Sequence, residues 1–192
     1  MLDDSLQHII FDLEATCWKK GSHLDRMEII EIGAVRLQAP AFEPVHAFST
    51  FVRPINEPIL SEFCRNLTSI RQADVDSAPK FPSALTALLD WIGPGKTSLC
   101  SWGAYDLRQI SADCRKHSIE VPAIFQNHID LKAVFSQLYK HKPCGMRKAL
   151  NLLGLPLECV HHRGIDDAKN ISRIAQKVLP EYYQKENHGD DL

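Results

Sequence analysis

The stretch IIFDLE, residues 9–14, carries two carboxylates at the end of an apolar run. Side chains along a β-strand alternate between its faces, so Asp12 and Glu14 project together while Leu13 points the opposite way. Neighbouring carboxylates raise each other's pKa unless a cation lies between them. Mg²⁺ and Mn²⁺ are hard cations that prefer oxygen ligands, so the pair is a candidate metal site. The alternative interpretation is a strand that ends in a solvated loop, where two acids cost nothing.

Two further acids stand where predicted helices begin, far from this stretch in the sequence. Asp106 follows a β-prone segment and starts a helical pattern. In the C-terminal helix, Asp167 continues the apolar stripe, whereas Asp166 shares the polar face with Lys169. An acid on the inward stripe is a candidate functional group. Asp167 is therefore the candidate, and Asp166 is first-turn charge that favours the helix dipole.

The four acids, with a histidine five residues before the last of them, resemble the DEDDh 3′→5′ exonucleases of the DnaQ-like family. The segments DLEATC (residues 12–17) and HRGIDDAKNI (162–171) are most similar to its Eri1-like, histone-mRNA exonuclease branch. The segments EIIEIG (28–33) and LTSI (67–70) match the family's second strand and its nucleotide-contacting turn. The resemblance covers nearly the whole chain.

Two positions depart from the family's pattern. Ser69 stands where the family usually has glycine, so the turn that contains it is expected to differ. Ala104 replaces an often polar residue just before Tyr105 and Asp106. The four acids and the histidine are all present, which favours an active enzyme over an inactive relative.

The resemblance implies a metal-dependent hydrolase. Two ions, Mg²⁺ or Mn²⁺, would clamp the attacking and leaving oxygens of a phosphodiester. Their ligands would be the four acids, Asp12, Glu14, Asp106 and Asp167. Glu14 and His162 are the predicted catalytic residues. His162 would accept a proton from the attacking water, because histidine side chains titrate near neutral pH.

A competing interpretation of His162 is a helix-start histidine that makes a structural hydrogen bond. Its five-residue offset from Asp167 favours the catalytic interpretation. His161 has the same offset from Asp166, but that pair belongs to the solvated face and is rejected.

The resemblance also implies contacts with the terminal nucleotide of the substrate, from Ala15, Thr16, Trp18, Leu67 and Tyr105. Trp18 and Leu67 correspond to wedges against the last base, and a stacked aromatic ring would tolerate any base. The alternative for Trp18 is a core or loop tryptophan. Tyr105 could donate a hydrogen bond to the scissile phosphate.

The net charge of −2 gives no global support for nucleic-acid binding. Local charge is more informative, because residues 140–148 carry four formal cations and no acid. This segment could contact the phosphates of an incoming strand, as could Lys19 and Lys20. The alternative is a solvated loop and helix start.

The composition predicts a single domain with a proper core, since 44% of the 192 residues are hydrophobic. No apolar stretch is long enough to span a bilayer, and the N-terminus is too acidic to open a signal peptide. The six cysteines form no C-x-x-C pair and show no zinc spacing. They are most simply thiols in a reducing compartment, so we expect a cytoplasmic protein without membrane contact.

The chain opens with three predicted strands, at 8–14, 29–37 and 45–52. Predicted helices cover 59–66, 81–92, 105–117, 131–139, 145–153 and 164–179, with further strands at 97–102 and 124–129. This order and the resemblance predict an α/β, ribonuclease-H-like fold with a mixed central sheet flanked by helices. Residues 1–183 are predicted to form one exonuclease domain, followed by a polar tail, 184–192.

The predicted function is 3′→5′ hydrolysis of single-stranded nucleic acid with a free 3′ end, releasing nucleoside monophosphates. The Eri1-like segments favour RNA as the substrate. A DNA exonuclease for proofreading or repair would use identical chemistry, and no residue reads the 2′-hydroxyl unambiguously. A relative that binds nucleic acid without cleaving it is the third possibility.

Overall fold

The computed structural model describes residues 5–159 and 162–188. Its centre is a five-stranded sheet in the order β3-β2-β1-β4-β5. The strands are β1 (Gln7–Ala15), β2 (Ile29–Gln38), β3 (Glu43–Phe51), β4 (Thr97–Ser101) and β5 (His128–Asp130). Strands β1, β2 and β3 pair antiparallel, whereas β4 and β5 run parallel to β1. The predicted α/β fold with a mixed central sheet is confirmed.

Helices cover both faces of the sheet. They are α1 (Glu62–Thr68), α2 (Gln72–Asp76), α3 (Phe81–Ile92), α4 (Tyr105–Lys116), α5 (Leu131–Leu138), α6 (Met146–Leu152) and α7 (Gly164–His188), with a 3₁₀ turn at Ala123–Gln126. Within the described ranges, no helix combines the length and the apolarity that crossing a bilayer requires.

The alternation of β1 decides which helices face the first two acids. Ile9, Phe11 and Leu13 pack in the core formed with α3 and α4. Ile10 belongs to the opposite core, which is formed with α5, α6 and α7. Because side chains two apart share a face, the carboxylates of Asp12 and Glu14 are directed to the side that α7 covers.

Two predicted elements in this part of the chain have different bounds in the structure, and one helix was not predicted. Helix α1 begins only after Ser61, whose hydroxyl accepts a hydrogen bond from the Cys64 backbone N–H at 3.0 Å and so caps the helix. The segment predicted as a strand at 124–129 is a 3₁₀ turn followed by the short β5. Helix α2 was not predicted from the sequence, because a helix of five residues leaves almost no periodic signal.

The last helix continues past Pro180 to His188, so residues 184–188 are helical and not the predicted tail. Residues 189–192 lie outside the described ranges. A contact late in the helix accounts for the extra turns, because the Tyr183 hydroxyl lies 2.8 Å from Nε2 of the buried His8. Tyr183 also stacks on Phe42, with ring centroids 6.2 Å apart.

Candidate active site

The strand β1 presents Asp12 and Glu14 from the middle of the sheet. It pairs with β2 along its whole length and with β4 over its first half. Asp12 and Glu14 lie in the second half, where the strand stays paired with β2, so both carboxylates project from regular sheet and not from a loop. Only 9% of Glu14 is exposed, although it carries a carboxylate.

Asp106 reaches this site from the first turn of α4. Its Oδ1 accepts a hydrogen bond from the Leu13 backbone N–H at 3.1 Å, between the two acids of β1. Parallel pairing of β4 with β1 brings the start of α4 to this edge. Asp106 is 4% exposed, so the third acid is also withdrawn from solvent.

The start of α7 supplies the remaining two groups, and it lies directly against β2. A Cβ atom on Gly33 would lie 2.1 Å from the Ile165 nitrogen, so the crossing leaves no space for a side chain there. Asp167 is 5% exposed, and its Oδ2 accepts a hydrogen bond from the His162 backbone N–H at 3.1 Å. One ligand atom from each of Glu14, His162 and Asp167 lies within 4.8 Å of the others.

All five predicted core residues line one cavity of about 340 Å³. Its lining consists of Asp12, Leu13, Glu14, Trp102, Tyr105, Asp106, Gly145, Met146, Arg147, His162, Asp167 and Ile171. Four separate elements and the segment before α7 therefore converge on a single concave surface.

The electrostatics of the cavity favour a cation. Burial raises the pKa of Asp12 well above its usual range, and repulsion from Asp106 and Glu14 adds to the effect. Burial and the charge of Asp167 raise the pKa of Glu14 to about 9. Burial also raises the pKa of Asp106 to about 7, against the hydrogen bond from Leu13. A buried set of oxygen ligands with these shifts fits divalent metal ions.

A sequence profile of the Exonuclease family matches residues 9–175. The chain belongs to this family. Among solved structures, the nuclease domain of 3′hExo, a DEDDh family member bound to rAMP, superposes with a TM-score of 0.85 and 31% identity. The superposition covers 91% of this chain and 92% of that one. The resemblance to DEDDh exonucleases, and to their Eri1-like branch, is confirmed.

The curated relatives of this exonuclease chain carry matching names. ERI1 exoribonuclease 2 of Homo sapiens is 31% identical over 193 residues, which are 89% of this chain and 28% of that protein. The 3′-5′ exonuclease Snipper of Drosophila melanogaster is 30% identical, with coverage of 89% and 68%. The chain thus spans less than a third of the length of ERI1 exoribonuclease 2.

Of the residues predicted to contact the nucleotide, Tyr105 is among the described residues that line the cavity, whereas Ala15, Thr16 and Leu67 are not. The Tyr105 hydroxyl donates to Gln109 Oε1 at 3.3 Å. Ala15 is buried at the end of β1, and Leu67 is 37% exposed on α1. The Thr16 hydroxyl is buried and accepts a hydrogen bond from the Glu28 backbone N–H at 2.9 Å. Their contacts with a substrate stay predictions.

Trp18 lies in the loop after β1 and is half-buried. The Arg26 guanidinium carbon lies 3.6 Å from the centre of its ring, and Arg26 is itself paired with Glu57 at 2.9 Å. One face of the indole is thus covered by a cation. The wedge role of Trp18 stays a prediction.

The turn in which Ser69 replaces the family's glycine keeps a conformation that glycine favours. Ser69 ends α1 with φ 60° and ψ 10°, and its N–H donates to the Arg65 carbonyl at 2.9 Å. The expected difference from the family's turn stays a prediction. Ala104 precedes α4 without a side-chain cap.

Sequence reasoning assigned no role to several residues beside the exonuclease cavity. Lys132 lies next to Gly103 and lowers the pKa of Asp106, opposing the effect of burial. Arg147, by contrast, belongs to the basic segment that the sequence indicates as a candidate phosphate contact, and it is exposed and lines the cavity. Glu31 is fully buried in β2 and pairs with Arg163 at 3.0 Å. One signal for Glu31 was available, because an acid inside the run IIEI is rarely buried without a partner.

Proposed function

We propose that this chain is a metal-dependent 3′→5′ exonuclease that hydrolyses single-stranded nucleic acid, RNA in preference to DNA, to nucleoside monophosphates. The observation that carries the proposal is the convergence of three buried acids, the half-buried Asp12 and one histidine on a single cavity. The 3′→5′ exonucleases and exoribonucleases among the relatives support the reaction and its direction.

Asp12, Glu14, Asp106 and Asp167 are the proposed ligands of two Mg²⁺ or Mn²⁺ ions. When bound, such ions polarise a phosphoryl oxygen and lower the pKa of water. Among the described residues that line the cavity, Arg147 is the one permanently cationic side chain. We therefore assign substrate orientation to Arg147 and Tyr105.

His162 is the proposed general base. Its ring lies close to the carboxylates of Glu14 and Asp167, so a water held by those acids is within its reach. The proton passes from that water to the imidazole while the water oxygen attacks phosphorus. The bond from phosphorus to the 3′-oxygen of the penultimate nucleotide breaks, that oxygen takes up a proton, and the terminal nucleotide leaves as its 5′-monophosphate.

We expect digestion to require a free 3′-hydroxyl, because a cavity of about 340 Å³ holds a terminal nucleotide better than a continuous strand. Labelled single-stranded RNA should be shortened from its 3′ end with release of mononucleotides in Mg²⁺ or Mn²⁺. A 3′-phosphate should protect the strand, and a circular RNA of the same sequence should survive.

Cleavage of the circular RNA would mean endonuclease action and would contradict the proposal that the cavity accepts only a 3′-terminal nucleotide. Equal rates on RNA and DNA of one sequence would remove only the preference for RNA. Binding without any shortening, in either metal, would favour the non-catalytic alternative.

Arg147 is expected to contact a substrate phosphate, and Lys148 provides the matched control. Both side chains are exposed on α6, but Arg147 lines the cavity and Lys148 is not among the described lining residues. Arg147→Ala should raise KM about tenfold and reduce the slope of log KM against log salt by about 0.7, the value for one phosphate on a single strand. Lys148→Ala should change KM less than about twofold. Equal effects of both variants would contradict a specific contact.

A cytoplasmic location is also part of the proposal. It is supported by the state of the cysteines, since all six are free thiols and four are buried in the core.

A further inference from the structure

Glu31 is a charged residue in the most buried part of the sheet. It lies in β2 with none of its surface exposed, flanked by the buried Ile30 and Ile32. A carboxylate there is costly unless its oxygens are hydrogen-bonded. Its Oε2 accepts from Arg163 Nε at 3.0 Å and from the Gly164 backbone N–H at 3.0 Å. Its Oε1 accepts from Arg163 Nη2 at 3.2 Å.

These hydrogen bonds hold the residues that directly follow His162. The backbone of His162 has φ 64°, in the left-handed region, which is strained for a non-glycine residue and persists only when its surroundings enforce it. Two anchors enforce it here. The His162 N–H donates to Asp167 Oδ2 on one side, and the Arg163 guanidinium is fixed on Glu31 on the other.

The Arg163 side chain is held in one orientation by Glu31. Its two parallel hydrogen bonds to one carboxylate form a planar fork that tolerates little rotation. Its guanidinium carbon also lies 5.2 Å from the centre of the Phe51 ring, which closes the pair from the side of β3. Arg163 is not among the described residues that line the cavity, so it acts on the reaction through its neighbour.

We infer that Arg163, through its bidentate pair with Glu31, is a positioning residue that aims the His162 imidazole at the attacking water. This inference rests on the proposed function, because it needs His162 as the general base. A misplacement of about 1 Å in a reacting group can cost a hundredfold in rate. The pair therefore contributes to kcat through the orientation of one ring.

The test is a double-mutant cycle with Arg163→Ala and His162→Ala. Arg163→Ala alone should lower kcat by about ten- to a hundredfold and change KM by less than about twofold. In the His162→Ala background the same change should have no further effect on kcat, because the ring that it positions is gone. Arg173→Ala is the matched control: Arg173 lies on α7, which begins directly after Arg163, and like Arg163 it pairs with a carboxylate, that of Glu158, at 3.2 Å. It should leave kcat unchanged.

A loss of kcat that persists in the His162→Ala background would overturn the inference, as would a change in KM alone. Where Arg163→Ala does not fold, Arg163→Gln keeps one hydrogen bond to Glu31 and should give an intermediate kcat. Histidine-labelled NMR of the metal-free protein supplies a readout without turnover. The ring resonances of His162 should broaden in the variant while those of His128 stay unchanged, and unaltered His162 resonances would refute the positioning role. A wild type that cleaves no substrate would instead refute the proposed function.

Discussion

Asp12→Asn is expected to lower hydrolysis at least about a thousandfold and to raise the melting temperature of the metal-free protein. The rate falls because metal ions contribute several kcal/mol to the transition state, and about 1.4 kcal/mol corresponds to a factor of ten. The stability rises because the variant removes one charge from a buried cluster in which Asp106 and Glu14 repel Asp12. Thermal unfolding in EDTA and a labelled-RNA assay measure the two effects.

Adding Mn²⁺ should separate wild type from variant. At a concentration a hundred times the Kd, a metal that binds only the folded state stabilises it by about 2.7 kcal/mol, or roughly 5–10 °C for a domain of this size. Asp12→Asn should lose most of this shift, whereas Asp166→Asn, an acid paired with Lys169 outside the cavity, should keep it. Equal increases in melting temperature on adding Mn²⁺ to all three proteins would contradict the proposed metal site.

The pH dependence of the metal-free protein has a definite sign. The pKa of Glu14 is raised to about 9 and that of Asp106 to about 7 in the folded state. A raised pKa means that the folded state binds the proton more tightly than the unfolded state does. Protonation of these acids therefore stabilises the fold fully below about pH 4, and this stabilisation is lost as the pH rises through 7 and 9. We expect the melting temperature in EDTA to fall across that interval, and to fall less steeply in Asp12→Asn.

His162→Ala is expected to reduce kcat by about two to four orders of magnitude while substrate binding is retained, because general base catalysis typically contributes that much. Single-turnover kinetics and equilibrium binding to a 3′-labelled RNA separate the two quantities. His161→Ala, at a position outside the described residues, is the control that the sequence argument supplies, and it should change little. Reversed effects of the two variants would refute the assignment of the base.

The site acids could be predicted from local sequence rules because each lies on a regular element. Strand alternation puts Asp12 and Glu14 on one face, and helical periodicity separates the inward Asp167 from Asp166. Their meeting point could not be predicted from spacing alone, since it depends on how α7 crosses β2 at Gly33. The family resemblance supplied that long-range information.

The pair of Glu31 and Arg163 could not be predicted for a different reason. The Arg163 side chain follows the left-handed backbone of His162. No residue type in this segment indicates that conformation. The end of α7 was placed too early because Pro180 is normally a helix breaker. The hydrogen bond between Tyr183 and His8 joins residues near the two ends of the described chain. Local helix propensity cannot indicate such a long-range contact.

The four acids of the cavity are distributed along the chain in a way that matters during synthesis. Asp12 is made about 150 residues before His162 and Asp167, at a typical pace of about 5–20 residues per second. Until α7 is made, the face of β1 that carries Ile10, Asp12 and Glu14 lacks the helix that packs against it, and the cavity lacks Asp167 and His162. The set of acids is therefore complete only when α7 closes on the sheet.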